Sequence, residues 1–170
     1  SLLWFGDDPS CFKKWNKYAK DYNFFRSKFV GTRHKNKKVG DCGSEIAKNI
    51  IEELSHKNKR IALNVSNYFI DMKKSFTEIF RVLKKEGKAC IIIGNTCLRD
   101  VPINNAQVAA EQMENIGFRK VKFIKREICS KIITSWRDVE NGRFTNLKNS
   151  NKRKIYDYEY ILIMEKPVNA

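Results

Sequence analysis

Proline is scarce in this chain: three residues in 170, at positions 9, 102 and 167, with no two adjacent. Histidine occurs only twice, and the five cysteines at 11, 42, 90, 97 and 129 form no Cys-x-x-Cys pair. That argues against a zinc site. The scatter of the cysteines suits a reducing cytoplasm better than a disulfide framework. No stretch approaches the roughly 20 apolar residues that a membrane span needs. The opening SLLWF run is too short for the apolar part of a signal peptide, and no basic flank precedes it. Acidic residues are also short, at 19 against 34 basic ones, leaving a net charge of +15.

What is present is enough for one domain with a real core, since 42% of the residues are hydrophobic. The charge exceeds what solubility requires. It favours a polyanionic partner, because neutralising phosphates releases counterions. Drift in a Lys- and Asn-rich proteome is the alternative, although the charge is clustered. Between Lys13 and Lys38 stand ten basic residues and a single acid, Asp21.

Residues 1–42 read as an aromatic and basic N-terminal segment. Cys11, Trp15, Tyr18, Tyr22 and Phe25 fit one helix face, with Ser10 as its cap. Residues 31–42 then form a loop. Residues 43–170 read as an α/β half domain packed with that segment into one unit. Ser44 opens a short helix to about His56, with Ile46, Ile50 and Leu54 on one face. A longer helix spans about 59–83. Its stripe is Ile61, Val65, Phe69, Met72, Phe76, Ile79 or Phe80, and Leu83. The run ACIII at 89–93 predicts a strand covered on both faces, with Cys90 as core. Gly94 and Asn95 end it. A helix follows over about 104–116, with Gly117 as its C-cap. Residues 118–128 predict a strand with a wet face. Residues 129–155 lack periodicity and predict a long loop. The last strand, about 157–166, carries Ile161, Leu162, Ile163 and Met164, as an interior strand does. It is expected to pair antiparallel with the strand before the loop.

Residues 68–117, YFIDMKKSFTEIFRVLKKEGKACIIIGNTCLRDVPINNAQVAAEQMENIG, together with YDYEYILIMEK at 156–166, carry a resemblance. They resemble the second half of the catalytic domain of S-adenosylmethionine-dependent DNA amino-methyltransferases, which methylate adenine N6 or cytosine N4. That family shows an apolar helix ending "RVLKPGG", a strand ending Gly-Asn or Gly-Asp, a helix ending "GF", a strand, a variable loop and a final "EYILVF-K" strand. The resemblance covers roughly residues 43–166. It implies a partial Rossmann-like methyltransferase sheet with flanking helices.

Two family motifs are missing. The first is an Asp/Asn/Ser-Pro-Pro-aromatic tetrapeptide, which holds the amino group of a flipped base. Asp8-Pro9-Ser10-Cys11 lacks the second proline and the aromatic. The second is a Gly-rich turn after a strand, where backbone approaches the cofactor. Gly40-Asp41-Cys42-Gly43 follows no strand and reads as a loop before a helix. No catalytic residue is therefore assigned. SLLWFGD looks like a family helix entered midway, so the chain is expected to be a fragment, a truncation or one piece of a split enzyme.

The resemblance implies cofactor-side positions at Leu3, Trp4 and Phe5, and at Gly94, Asn95 and Thr96, which end a strand at its carboxyl edge. It implies a DNA-facing set in and beside the long loop: Arg126, Lys131, Trp136, Arg137, Arg143, Lys148, Lys152, Arg153 and Lys154. Basic residues interleaved with aromatics suit nucleic-acid contact. A solvated charged loop is the plain alternative. The expected activity is a methyltransferase reaction of restriction-modification type in the cytoplasm, with DNA as partner and, where the enzyme is split, its missing half. A non-catalytic nucleic-acid-binding module, or an RNA or protein methyltransferase of the same fold, stands beside it.

Overall fold

The computed structural model describes residues 24, 26–31, 40–128, 136–139, 143–154 and 157–169. The expected N-terminal helix and the basic segment around it lie outside these residues, apart from Phe24 and residues 26–31, of which Phe24, Arg26 and Ser27 are helical.

Helix α1 (Glu45–Lys57) begins where Ser44 takes an extended backbone and its hydroxyl accepts from Ala47 N. His56 and Lys57 lie in its last turn, the favourable end for positive charge. Helix α2 (Lys59–Val82) follows after one residue. Asn58 serves both helices: its N–H closes α1 onto Leu54 O, and its side chain accepts from Ile61 N at 3.0 Å to start α2. The expected bounds of both helices hold to within a residue or so.

The α2 stripe serves two cores. Val65 and Phe69 join Ile50 and Leu54 of α1 in the first. Phe76 joins the sheet in the second, with Met72, Ile79, Phe80 and Leu83 packed around it. One long amphipathic helix thereby holds the two clusters in register.

Strand β1 (Lys88–Ile93) leads to a hairpin of β2 (Thr96–Leu98) and β3 (Val101–Ile103). The two turn residues Arg99 and Asp100 both have positive φ, 50° and 60°. A two-residue hairpin needs that twist, and here ordinary side chains adopt it. Helix α3 (Asn105–Ile116) ends on Gly117 at φ 116°, and Phe118 N–H returns to Met113 O. Strand β4 (Arg119–Glu127) follows. Strand β8 (Tyr158–Glu165) closes the chain's sheet.

The sheet order is β1-β8-β4, antiparallel at both ladders. So β1 and β4 run parallel, joined through α3, and the last strand fills the gap between them. This makes β8 interior, as the apolar run ILIM implied. Leu162 and Met164 are fully buried. Together with Ala89 they meet α3 and the lower half of α2 in the second core. The chain is an α/β protein, as expected.

Two expectations need correction. Strand β1 is not covered on both faces: Ala89 is buried, but Cys90 and Ile92 are exposed. Among the described residues, helices cover one face of the sheet only, and Cys90 stands on the other. The 129–155 segment is also more than a loop. It contains β5 (Trp136–Asp138), β6 (Phe144–Thr145) and β7 (Lys152–Lys154), a small sheet of order β6-β5-β7. Strands this short carry no readable alternation.

Candidate nucleic-acid interface

The small sheet gathers most of the basic set. Register places Trp136 opposite Thr145 on one side and Lys154 on the other, and Arg137 opposite Phe144 and Arg153. Directly opposed residues share a face. The Arg137 guanidinium lies over the Phe144 ring at 4.5 Å from its centroid. Lys152 Nζ lies 5.6 Å from the Trp136 ring and donates to Asn149 O.

Asn149 pins the sheet. Its amide donates to Asp138 Oδ2 at 2.7 Å and to Thr145 Oγ1 at 3.2 Å, and its Oδ1 accepts from Asn151 N. Polar side-chain bonds thus replace the hydrophobic face that a larger sheet would use. Lys148 is exposed on the turn before β7, where its backbone N–H is held by Asn146. Lys154 pairs with Asp157 at 3.1 Å.

Arg126 is placed elsewhere, on β4 of the main sheet, where it donates to Glu159 of β8. Beside it Lys125 caps the Tyr158 ring at 3.8 Å. These strand ends lead into the small sheet, and Ile128 N–H bonds Asp157 O across them. Lys131, Leu3, Trp4 and Phe5 lie outside the described residues.

The strand edge at Gly94, Asn95 and Thr96 has a structural task. Asn95 Oδ1 accepts from Ala106 N at 2.9 Å and its amide donates to Gln107. This caps α3, whose own N-cap residue Asn104 makes no such side-chain bond. Asn105 in turn donates to Gly94 O. A methyl group added at Gly94 would meet nothing within 4 Å among the described residues. Thr96 starts the hairpin.

The Gly40–Ser44 loop is a helix lead-in, as read from sequence, and α3 holds it. Glu111 accepts from Ser44 Oγ, Glu45 N and Ile46 N. Buried Gln112 donates to Cys42 O and to Phe69 O. Asn115 donates to Gly43 O. From α2, Lys73 reaches Asp41 at 2.7 Å. That hydrogen bond, with a second from Gly43 N–H, holds the Asp41 carboxyl below its ordinary value. Burial works against the charged Glu111, but its bonds from Ser44, Glu45 and Ile46 outweigh it and lower its pKa. A shallow depression of about 360 Å³ opens here, lined by Asp41, Ser44, Lys48, Lys73 and Asn115. Among the described residues no cluster of three His, Cys, Asp or Glu could hold a metal. No helix among them is long and apolar enough to cross a membrane.

No family model matches the chain. Over 132 residues it is 24% identical to the type II methyltransferase M.MvaI of Kocuria varians. That match covers 74% of this chain and 26% of the relative, so the chain spans about a quarter of that protein's length. Among solved structures, it is similar to a candidate DNA modification methylase from Thermus thermophilus. The selenomethionine form is 20% identical, with a TM-score of 0.39, over 58% of this chain and 37% of that one. The form complexed with S-adenosyl-L-methionine is 18% identical, with a TM-score of 0.40, over 61% and 40%.

Proposed function

We propose that this chain is the later part of the catalytic domain of a DNA methyltransferase, which moves a methyl group from S-adenosylmethionine to an exocyclic amino group of adenine or cytosine. The observation that carries the reading is an order of parts. An apolar helix, a strand ending Gly-Asn, a helix ending Gly-Phe, a strand, a basic insertion and an interior last strand occur in sequence, and the three long strands among them form one sheet of order β1-β8-β4. The matched stretch of the type II methyltransferase supports it.

In such a reaction the amino nitrogen attacks the methyl carbon directly, so positioning and electrostatics matter more than an ionised base. The described residues do not assemble a cofactor site. Asn95 spends both ends of its amide on α3, and Gln112 and Asn115 of α3 hold the carbonyls of Cys42 and Gly43 in the Gly40–Ser44 loop. What the described residues offer is a strand end at Gly94 where none of them comes within 4 Å of an added methyl group. No step of the transfer is assigned to them.

Their part in the proposal is scaffold and DNA contact. The open flank of the sheet fits this. Cys90 and Ile92 are exposed on β1, with Ile161 and Ile163 half-buried beside them in register. Among the described residues nothing pairs with the outer edge of β1. Such a face suits further protein from the same enzyme, whether joined or separate, working on DNA in the cytoplasm. A non-catalytic nucleic-acid-binding module is the second reading, favoured by the basic small sheet alone.

A labelled-methyl assay on mixed genomic DNA tests the proposal. The 170-residue chain should show no turnover. The chain expressed with the coding sequence upstream of Ser1 should label adenine N6 or cytosine N4. Turnover by the 170 residues alone sinks the partial-domain reading. Failure of the longer product on every DNA tried leaves the binding-module reading in its place.

A further inference from the structure

We infer that the Arg137–Phe144 pair of the small sheet is a seat for an unpaired nucleobase, so that this element grips nucleic acid by stacking as well as by charge. The inference rests on the nucleic-acid reading above and deepens it.

A merely solvated charged loop does not account for what is exposed here. Phe144 is 50% exposed, Leu147 67% and Val139 45%, all within a segment of the small sheet and its turns. Among the described residues Phe144 belongs to neither buried cluster. Its strand is two residues long, and register sets it against Arg137, whose guanidinium covers part of the ring at 4.5 Å. The backbone under the pair is held by β5 pairing on both sides and by the Asn149 bonds. An aromatic ring fixed at a sheet surface, with a cation against it and half its area in water, is a stacking platform.

Charge selects the occupant. The run from Arg143 to Lys154 holds five basic residues and no acid, in a chain of net charge +15, although Lys154 pairs with Asp157 just beyond it. An acidic peptide would satisfy the charge but leave the ring unused. A nucleotide satisfies both, its phosphate meeting the lysines and its base the ring. In a duplex both faces of each base are already stacked, so the occupant is a base in a single strand or one displaced from the stack.

The test is fluorescence anisotropy with the 170-residue chain, using a labelled mixed-sequence single strand, the same strand with abasic sites, and the matching duplex. The parent should prefer the normal single strand to the abasic one by about tenfold, within the range a stacked base contributes. Phe144→Leu should lose about that factor on the single strand, with its salt slope and duplex affinity unchanged. Phe144→Tyr keeps a ring and should keep the preference, which guards against a leucine variant that merely loosens the sheet. Equal affinity of parent and Phe144→Leu for the single strand overturns the inference. So does an equal loss on single strand and duplex, or a parent indifferent to abasic sites. If the parent binds neither form at low salt, the nucleic-acid reading itself fails, and the seat with it.

Discussion

The carboxylate of Glu111 accepts a hydrogen bond from the hydroxyl of Ser44, the residue that caps α1, 67 positions earlier in the chain. It also accepts from Glu45 N and Ile46 N, at 3.1 and 3.3 Å. A charge on α3 therefore sits at the positive end of α1, where backbone N–H groups otherwise lack partners. The contact ties the Gly40–Ser44 loop, α1 and α3 into one unit.

Glu111→Gln should destabilise the chain by about 1–2 kcal/mol at neutral pH, through loss of charge-assisted hydrogen bonds. The pH dependence follows from the sign. Glu111 is held below its ordinary pKa in the folded chain, because its three hydrogen bonds outweigh the burial that opposes its charge. Its contribution is complete above the ordinary glutamate pKa of about 4.3. It is lost as pH falls through the lowered folded value. Urea melts of parent and variant should differ at pH 7 and converge in acid. A gap that stays constant down to pH 3 would mean the charge is not what Glu111 contributes.

Asn95→Ala should cost about 1 kcal/mol, the usual value of a lost helix cap. Asn95→Asp should cost less. Aspartate still accepts from Ala106 N and places a negative charge at the start of α3, while losing only the bond to Gln107. Amide exchange in the first turn of α3 reads this directly. Faster exchange in the alanine variant and near-parental protection in the aspartate variant are expected. Equal protection in all three would show that α3 starts without Asn95.

Two glycines should respond differently. Gly117 has φ 116°, and a methyl group there would stand 3.2 Å from Phe80 Cζ, whose ring packs edge-on against Phe118. Gly117→Ala should cost about 2 kcal/mol from backbone strain and that contact. Gly94→Ala meets nothing within 4 Å among the described residues and should lie within about 0.5 kcal/mol of the parent. Thermal melts of the two variants decide it. A neutral Gly117→Ala would place the helix end differently from the geometry described.

The helices were legible in sequence because their signals are local. Ser44 and Gly117 mark ends by side-chain and backbone chemistry, and the stripe from Val65 to Phe76 has helical spacing. The interior position of β8 was legible in its unbroken apolar run. The same kind of run misled at β1. Ala89, Ile91 and Ile93 face the core while Cys90 and Ile92 do not, and an apolar residue on the open face erases the alternation that would report it. The small sheet was hidden because Asn149, rather than a hydrophobic face, organises strands of two or three residues. The grip of α3 on the 40–44 loop was hidden by distance along the chain. Its one local trace is that Glu111, Gln112 and Asn115 fall at spacings that share a helix face. Of the candidate site, the residue types and their clustering were readable. The Arg137–Phe144 pairing depended on register that no local pattern sets.

Charge reversal separates local contact from bulk attraction. Arg143→Glu with Lys148→Glu changes the net charge of the small sheet by −4. Lys59→Glu with Arg60→Glu makes the same change at the first turn of α2, which carries no acidic residue. There the new charges suit the helix N-terminus, so the control should not lose stability. If phosphate contacts centre on the small sheet, the first pair should lower duplex affinity more at 50 mM salt. It should also flatten the log–log salt dependence by about 2, at roughly 0.9 for each phosphate no longer neutralised. The control should lower affinity slightly and leave the slope unchanged, because exposed charges that make no phosphate contact act only through a field that salt largely screens. Both variants, titrated against one duplex at four salt concentrations, give the slopes. Equal losses and equal slopes would mean that the +15 charge acts as a whole and that the small sheet holds no phosphate of its own.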